Sequence, residues 1–277
     1  MDVDLFNPQC DQRDLLLDEA HVWMIKDEDI QDKKVLNAFY QVLSNAEKNK
    51  KSKFHFAKHR QQYLVTRGLL RWVLSYYQKS VLPAHWRFRK NKYGRPYLAN
   101  SLLDGDIYFN VSHTENLIVI VVSRADLLGI DVEWILRKNN PVDIADGFFS
   151  SLELTRLKAL STQQQVEHFF KLWTLKEAYV KARGMGLSIP LNSFEFNFDA
   201  GTIDMVGNDR CHDTCSAWSF FYFVPENNYR LSIAYGTQED CLSNLCISFF
   251  NYQSGCFSTS TEVDLLASSR KNPVRCA

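Results

Sequence analysis

The chain has 277 residues, 45% of them apolar, and carries 32 basic against 32 acidic side chains, so its formal net charge is zero. This size fits one large domain or two of about 100–150 residues with a substantial core. The longest apolar run, Leu117 to Val122, is far too short to span a bilayer, and the acidic opening Met1-Asp2-Val3-Asp4 lacks the basic start and apolar stretch of a secretory signal. A cytoplasmic protein with no membrane partner is therefore expected.

The seven cysteines, Cys10, Cys211, Cys215, Cys241, Cys246, Cys256 and Cys276, are odd in number and form no disulfide framework by spacing. Cys211-His212-x-x-Cys215 hints at zinc, but its second pair, Cys241 and Cys246, is irregularly placed. Free thiols are the simpler expectation. The zero net charge also hides an asymmetry. Residues 1–47 hold eleven acids against four bases, whereas residues 48–103 hold fourteen bases and no acid. A segment of that kind builds positive potential and attracts an anionic partner.

In chain order, residues 1–20 read as an extension. His21–Ile25 reads as a strand. Asp32–Leu43 has helical spacing, with Val35, Leu36, Phe39 and Leu43 on one face. Tyr63–Tyr77 is a stronger helix, and Asn91–Pro96 is a turn. Ile107–Ser112 alternates as a strand; Leu117–Ser123 and Gly129–Ile135 follow as strands. Ser150-Ser151-Leu152-Glu153 matches a capping box. Val166–Arg183 reads as a long helix stopped by Gly184. Trp218–Val224 and Tyr229–Tyr235 read as a terminal strand pair. Beyond Gln238 the pattern decays into Ser, Cys and Asn, so a loose tail is expected. Helices and strands mix without strict alternation, which favours an α+β fold.

Three short segments carry chemistry. In Gly129-Ile130-Asp131-Val132-Glu133 a strand would put Asp131 and Glu133 on one face and Ile130 and Val132 on the other. Two carboxylates so close repel unless a cation sits between them, although a polar edge strand would look the same. In Trp173-Thr174-Leu175-Lys176-Glu177-Ala178-Tyr179-Val180-Lys181, the residues Trp173, Glu177 and Lys181 line one helical stripe flanked by Lys176. That stripe could equally be an ordinary Glu–Lys pair. In Phe109-Asn110-Val111-Ser112-His113 a strand ends in a hydroxyl beside an imidazole, and both can donate hydrogen bonds to a phosphate. No Gly-x-Ser-x-Gly elbow accompanies them.

Taken in order, NKYGRPYL, FNVSHT, GIDVE and WTLKEAYVKARGMGLSIPL followed by FEF resemble the signature of the 4′-phosphopantetheinyl transferases of the surfactin-synthetase-activating type, over residues 45–236. The resemblance implies a pseudo-dimer of two similar α/β halves with coenzyme A between them. The expected division is an N-terminal extension (1–20), an N-terminal half (21–123), a C-terminal half carrying the metal site (124–236) and a tail (237–277). It implies transfer of the 4′-phosphopantetheine arm of coenzyme A to a serine of an apo acyl or peptidyl carrier protein. It also implies that Asp131, Glu133 and Glu177 hold Mg²⁺, and that Ser112, His113, Lys176 and Lys181 contact the phosphates. Arg95 would reach the adenylate end, and Lys50, or its neighbours Lys48 and Lys51, the 3′-phosphate. Asp131, Glu177, Lys181 and His113 would form the catalytic set, with Glu177 as ligand, base or both. A chain with both halves completes its own site, so a monomer is implied.

Two other readings compete. A metal-dependent phosphoesterase could use the same carboxylates. A nucleic-acid-binding module could use the basic run, where Phe54, Phe56, Trp72 and Tyr93 suit stacking. The second leaves the three carboxylates unexplained and fits poorly with overall neutrality, so no nucleic-acid partner is expected.

Overall fold

The computed structural model describes residues 15–100, 106–136, 142–207, 217–237, 245–253, 256–260 and 263–269. Strand β1 (Glu19–Lys26) leads to α1 (Lys33–Val42), the short α2 (Asn45–Ser52) and the long α3 (Ala57–Tyr77). A hairpin of β2 (Phe88–Lys90) and β3 (Pro96–Leu98) precedes β4 (Tyr108–Thr114), β5 (Leu117–Ser123) and β6 (Leu128–Trp134). Helices α4 (Val142–Ala145), α5 (Ser151–Lys158) and α6 (Thr162–Arg183) follow. Then come β7 (Phe194–Asp199), β8 (Thr202–Gly207), β9 (Ala217–Val224), β10 (Tyr229–Thr237), β11 (Cys246–Gln253), β12 (Cys256–Ser260) and β13 (Asp264–Ser268). The expected helices are present, α3 and α6 beginning several residues earlier and α1 one residue later, and the expected strands agree to within two residues at their ends. Helix α2 was not anticipated, because Asn45–Ser52 has no apolar stripe. It forms because Ser44 and Glu47 close a capping box.

The strands build two sheets, ordered β12-β11-β1-β5-β4 and β6-β10-β9-β13-β8-β7. Period-2 alternation sorts their side chains into layers. Val22 and Met24 of β1, Val119 and Val121 of β5, Ile130 and Val132 of β6, and Leu231 and Ile233 of β10 all meet between the sheets. Trp23, Ile25, Ile118 and Ile120 face the other way, against α1 and α3. Phe220, Tyr222 and Ala234 face α6. The result is an α+β fold of four layers, with a long helix on the outer face of each sheet.

Three expectations are corrected. The region after residue 237 is not a loose tail, because its described residues are strands. Strand β11 lies parallel to β1, and β13 pairs with β9. The run Cys246-Ile247-Ser248-Phe249-Phe250 is buried throughout, which outweighs its polar surroundings. Strands β9 and β10 are consequently interior rather than terminal. Cys246 is disulfide-bonded rather than a free thiol, which also removes it from any zinc set. Cys211, His212, Cys215 and Cys241 lie outside the described residues.

The two halves repeat one device. In the first, the capping-box Glu47 of α2 is gripped by Arg67 (2.6 Å) and Arg71 (2.7 Å) of α3, and Arg71 also donates to the carbonyls of Pro83 and Trp86. In the second, the capping-box Glu153 of α5 is gripped by Lys176 of α6 at 2.9 Å, and Lys176 also donates to the carbonyls of Leu191 (2.7 Å) and Phe194 (2.6 Å). Each short helix is thus tied to its long helix and to the loop that follows.

Helix α6 lies unusually close to β6. A Cβ added at Gly129 would stand 2.0 Å from the Ala178 carbonyl oxygen and 2.5 Å from the Ala182 nitrogen. Backbone on both sides leaves no room for relaxation. Gly129→Ala is expected to destabilise the protein by about 3 kcal/mol or more, read by denaturant unfolding. Lys176→Met leaves the Glu153 carboxylate buried and uncompensated, and is expected to cost about 3–5 kcal/mol in the same measurement. Adding Glu153→Gln to that variant should restore a large part of the loss.

Candidate active site

Strands β4 and β6 are edge strands of different sheets, and they meet side by side. Side chains of β4 zip them together. Asn110 Oδ1 accepts from the Ile130 N–H at 3.4 Å, Ser112 Oγ from the Val132 N–H at 3.4 Å, and Thr114 Oγ1 from the Trp134 N–H at 3.1 Å. Alternation puts Asn110, Ser112 and Thr114 on one face of β4, so each reaches every second peptide of β6. Ile130 and Val132 turn into the intersheet core. Asp131 and Glu133 therefore turn the other way, as expected.

Asp131 is 5% exposed. Its Oδ1 accepts from Ser112 Oγ at 2.8 Å and from Lys181 Nζ at 2.7 Å. Its Oδ2 is buried without a hydrogen-bond partner. Lys181 also donates to Ser112 Oγ at 2.9 Å and to the Ile130 carbonyl at 3.3 Å. Thr114 Oγ1 donates to Glu133 Oε2 at 3.4 Å. Glu177 stands one helical turn before Lys181 on α6 and is half-buried. Burial first, and the Asp131 charge second, push its carboxyl above the ordinary range, while Lys181 pulls it back. His113, Glu133 and Trp134 line an open cavity of about 460 Å³, together with Asp27, Lys58 and Gln62. Loss of hydration, then the Lys181 charge, push the His113 imidazole below its usual value against the pull of Asp131.

Among the described residues no group of three or more His, Cys, Asp or Glu side chains stands arranged to hold a metal ion. Magnesium needs no such preformed cage, since it keeps several waters and binds substrate phosphates alongside its carboxylates. The donor set suits that mode. Asp131 offers a buried, unpartnered oxygen, and Glu177 is a carboxylate whose ionisation Asp131 opposes.

The structure thus brings Ser112, His113, Asp131, Glu133, Glu177 and Lys181 to one seam. Lys176 is elsewhere. It is fully buried behind α6 and its ammonium is held by Glu153 and two carbonyls, so it does not reach the phosphate site. One residue along a helix is a rotation of about 100°, which carries Lys176 off the Glu177 stripe and into the core. Arg95 is not at the seam either. Its guanidinium donates to the carbonyls of Ala182 (2.8 Å), Asp126 (2.6 Å) and Leu128 (3.4 Å), while Asn91 Nδ2 donates to the Gly184 carbonyl at 2.7 Å. The 91–96 turn therefore caps the end of α6. Lys50 lies over the Tyr63 ring in a separate cavity with Arg67, Arg71 and Arg89. Lys48 and Lys51 both lie over Tyr40. Part of the basic run is spent inside the fold, since Arg67 and Arg71 hold Glu47 and Arg60 holds the Phe54 carbonyl. The residue that sequence reasoning missed is Thr114. It continues the Asn110–Ser112 alternation by one step, and that was the available signal.

The family model described as 4′-phosphopantetheinyl transferase, N-terminal, matches residues 31–125, and that of the 4′-phosphopantetheinyl transferase superfamily matches residues 127–234. The chain is 31% identical over 220 residues to the 4′-phosphopantetheinyl transferase HetI of a Nostoc species, covering 79% of this chain and 89% of that protein. It is 32% identical over 158 residues to the 4′-phosphopantetheinyl transferase Sfp of Bacillus subtilis, covering 56% and 66%. It is 43% identical over 107 residues to the 4′-phosphopantetheinyl transferase gsp of Aneurinibacillus migulanus, covering 39% and 42%. No helix among the described residues is long and apolar enough to cross a membrane. The two family models meet between Ser123 and Leu128, at the connection from the first sheet to the second, and the chain belongs to the 4′-phosphopantetheinyl transferases of the surfactin-synthetase-activating type.

Proposed function

We propose that the chain transfers the 4′-phosphopantetheine arm of coenzyme A to a serine of an apo carrier protein at the β4–β6 seam, with Mg²⁺ held by Asp131, Glu133 and Glu177. The observation that carries this reading is the buried Asp131, with one oxygen on Lys181 and the other unpartnered, and with Glu177 near enough to feel its charge. Residues 21–123 and 124–236 act as the two halves, and the later strands complete both sheets. A monomeric cytoplasmic enzyme fits this arrangement, because the seam is built from one chain.

Each residue has a task. Lys181 and His113 face the pyrophosphate of coenzyme A and supply fixed positive charge or hydrogen bonds to it. Lys50, with Arg67 and Arg89 nearby, offers a basic cavity for the 3′-phosphate. When bound, Mg²⁺ supplies further charge neutralisation at the pyrophosphate. Glu177, or a water it holds, takes the proton of the carrier serine. The serine oxygen bonds to the β-phosphorus, the bond to the α-phosphate oxygen breaks, and 3′,5′-ADP leaves. The role of Arg95 is changed by its position. Through Ala182 and Leu128 it holds the ends of α6 and β6 rather than the adenylate.

The decisive experiment incubates the protein with coenzyme A, Mg²⁺ and apo carrier proteins and reads intact mass. The expected result is one phosphopantetheine on a carrier serine, reduced on the order of 10³-fold by Asp131→Ala. Transfer by Asp131→Ala at the wild-type rate would overturn the reading, as would release of nucleotide with no acceptor modified. Glu177→Gln should lose transfer. It should also change stability with pH, because the folded carboxyl titrates higher than the unfolded one. The stability contributed by protonated Glu177 is complete below the unfolded value and is lost as pH rises through the folded value. Relative to wild type, Glu177→Gln is therefore expected to melt higher at pH 8 and at the same temperature below about pH 4, the ordinary Glu range.

A further inference from the structure

We propose that Thr114 is a positioning residue for the metal-binding carboxylates, aiming Glu133 as Ser112 aims Asp131; this rests on the Mg²⁺ site proposed above. The two hydroxyls are two residues apart on β4 and the two carboxylates two residues apart on β6. Each hydroxyl makes the same pair of bonds. Ser112 Oγ accepts the Val132 N–H and donates to Asp131 Oδ1. Thr114 Oγ1 accepts the Trp134 N–H and donates to Glu133 Oε2. A hydroxyl has a single proton. With the peptide N–H occupying an acceptor site of Thr114, that proton points to the carboxylate.

The choice of threonine adds stiffness. A β-branched side chain has restricted χ1, so the hydroxyl stays on the β6 side. Asn110 begins the same ladder, but it faces the Ile130 N–H and no carboxylate, because Gly129 stands where the next side chain would be. The seam therefore contains an internal control. Three side chains join the strands, and only two of them also hold an acid. Groups that orient metal-bound carboxylates alter metal affinity when removed, even though they never touch the ion.

The test measures Mn²⁺ affinity directly, by electron paramagnetic resonance of the free ion, on the full chain with coenzyme A present. Thr114→Val keeps the shape and loses the hydroxyl; Thr114→Ala does the same with less steric demand at the seam. Both are expected to weaken Mn²⁺ about tenfold. Thr114→Ser, which keeps the hydroxyl, should stay within about twofold of wild type, well short of the loss expected when an orienting group is removed. Asn110→Ala should lower the melting temperature and leave Mn²⁺ affinity unchanged. Wild-type affinity in both Thr114→Val and Thr114→Ala would overturn the inference. So would equal weakening in Asn110→Ala, which would assign the effect to seam integrity. A wild-type protein that takes no Mn²⁺ would instead overturn the metal site itself, a distinct outcome.

Discussion

The arrangement depends on the backbone contact between α6 and β6. Because Gly129 has no side chain, the helix settles with the Ala178 carbonyl and the Ala182 nitrogen against the strand. That approach sets the distance between two acids on the strand and two charged groups on the helix. Glu177 and Lys181 flank Ala178 and Ala182 in sequence, so they hang over Asp131 as a direct consequence. A bulkier residue at 129 would push the helix outward and open the Asp131–Lys181 pair.

The end of α6 is fixed from a second direction. Gly184 ends the helix with φ +63°, in the left-handed region that glycine adopts without strain. There the side chain of Arg95 packs so closely that a Cβ would meet its Cδ at 2.5 Å. Arg95 and Asn91 occupy carbonyls that the last turn of a helix leaves unpaired. The helix is thereby clamped at Gly129 from the sheet and at Ala182–Gly184 from the turn.

Electrostatics at the seam follow from this geometry. Asp131 is buried, and Lys181 and Ser112 share one of its oxygens. The second oxygen has nothing, and Glu177 is near enough to feel the charge. A burying environment with more carboxylate than cation favours any added positive charge. The duplicated Glu–Arg and Glu–Lys devices are the opposite case. Glu47 and Glu153 are matched with cations that also donate to nearby carbonyls, so they support structure and leave no chemistry over. The same residue types serve both ends, and the difference is whether each carboxylate oxygen has a partner.

Much of the fold and part of the site were legible in the sequence. Alternation at 107–112 and 117–123 and helical spacing at 166–183 report local periodicity, which survives without tertiary context. GIDVE placed Asp131 and Glu133 on one face by the strand period alone. The strands after residue 245 were obscured because polar residues surround a short buried run, and burial there depends on β1 as a partner. Lys176 looked like a phosphate contact because it adjoins Glu177 in sequence, whereas a 100° helical turn sends it to Glu153. Arg95 was expected at the adenylate end through the family resemblance of its Gly-Arg-Pro motif, whereas its bonds go to carbonyls more than thirty residues away. Thr114 continues the alternation of Asn110 and Ser112, but its link to Glu133 shows only with β4 and β6 side by side. Sequence alone therefore determined which residue types share a face, a property of one element's period. Only the tertiary structure decided which faces meet and which charges are already satisfied, because both depend on partners distant along the chain.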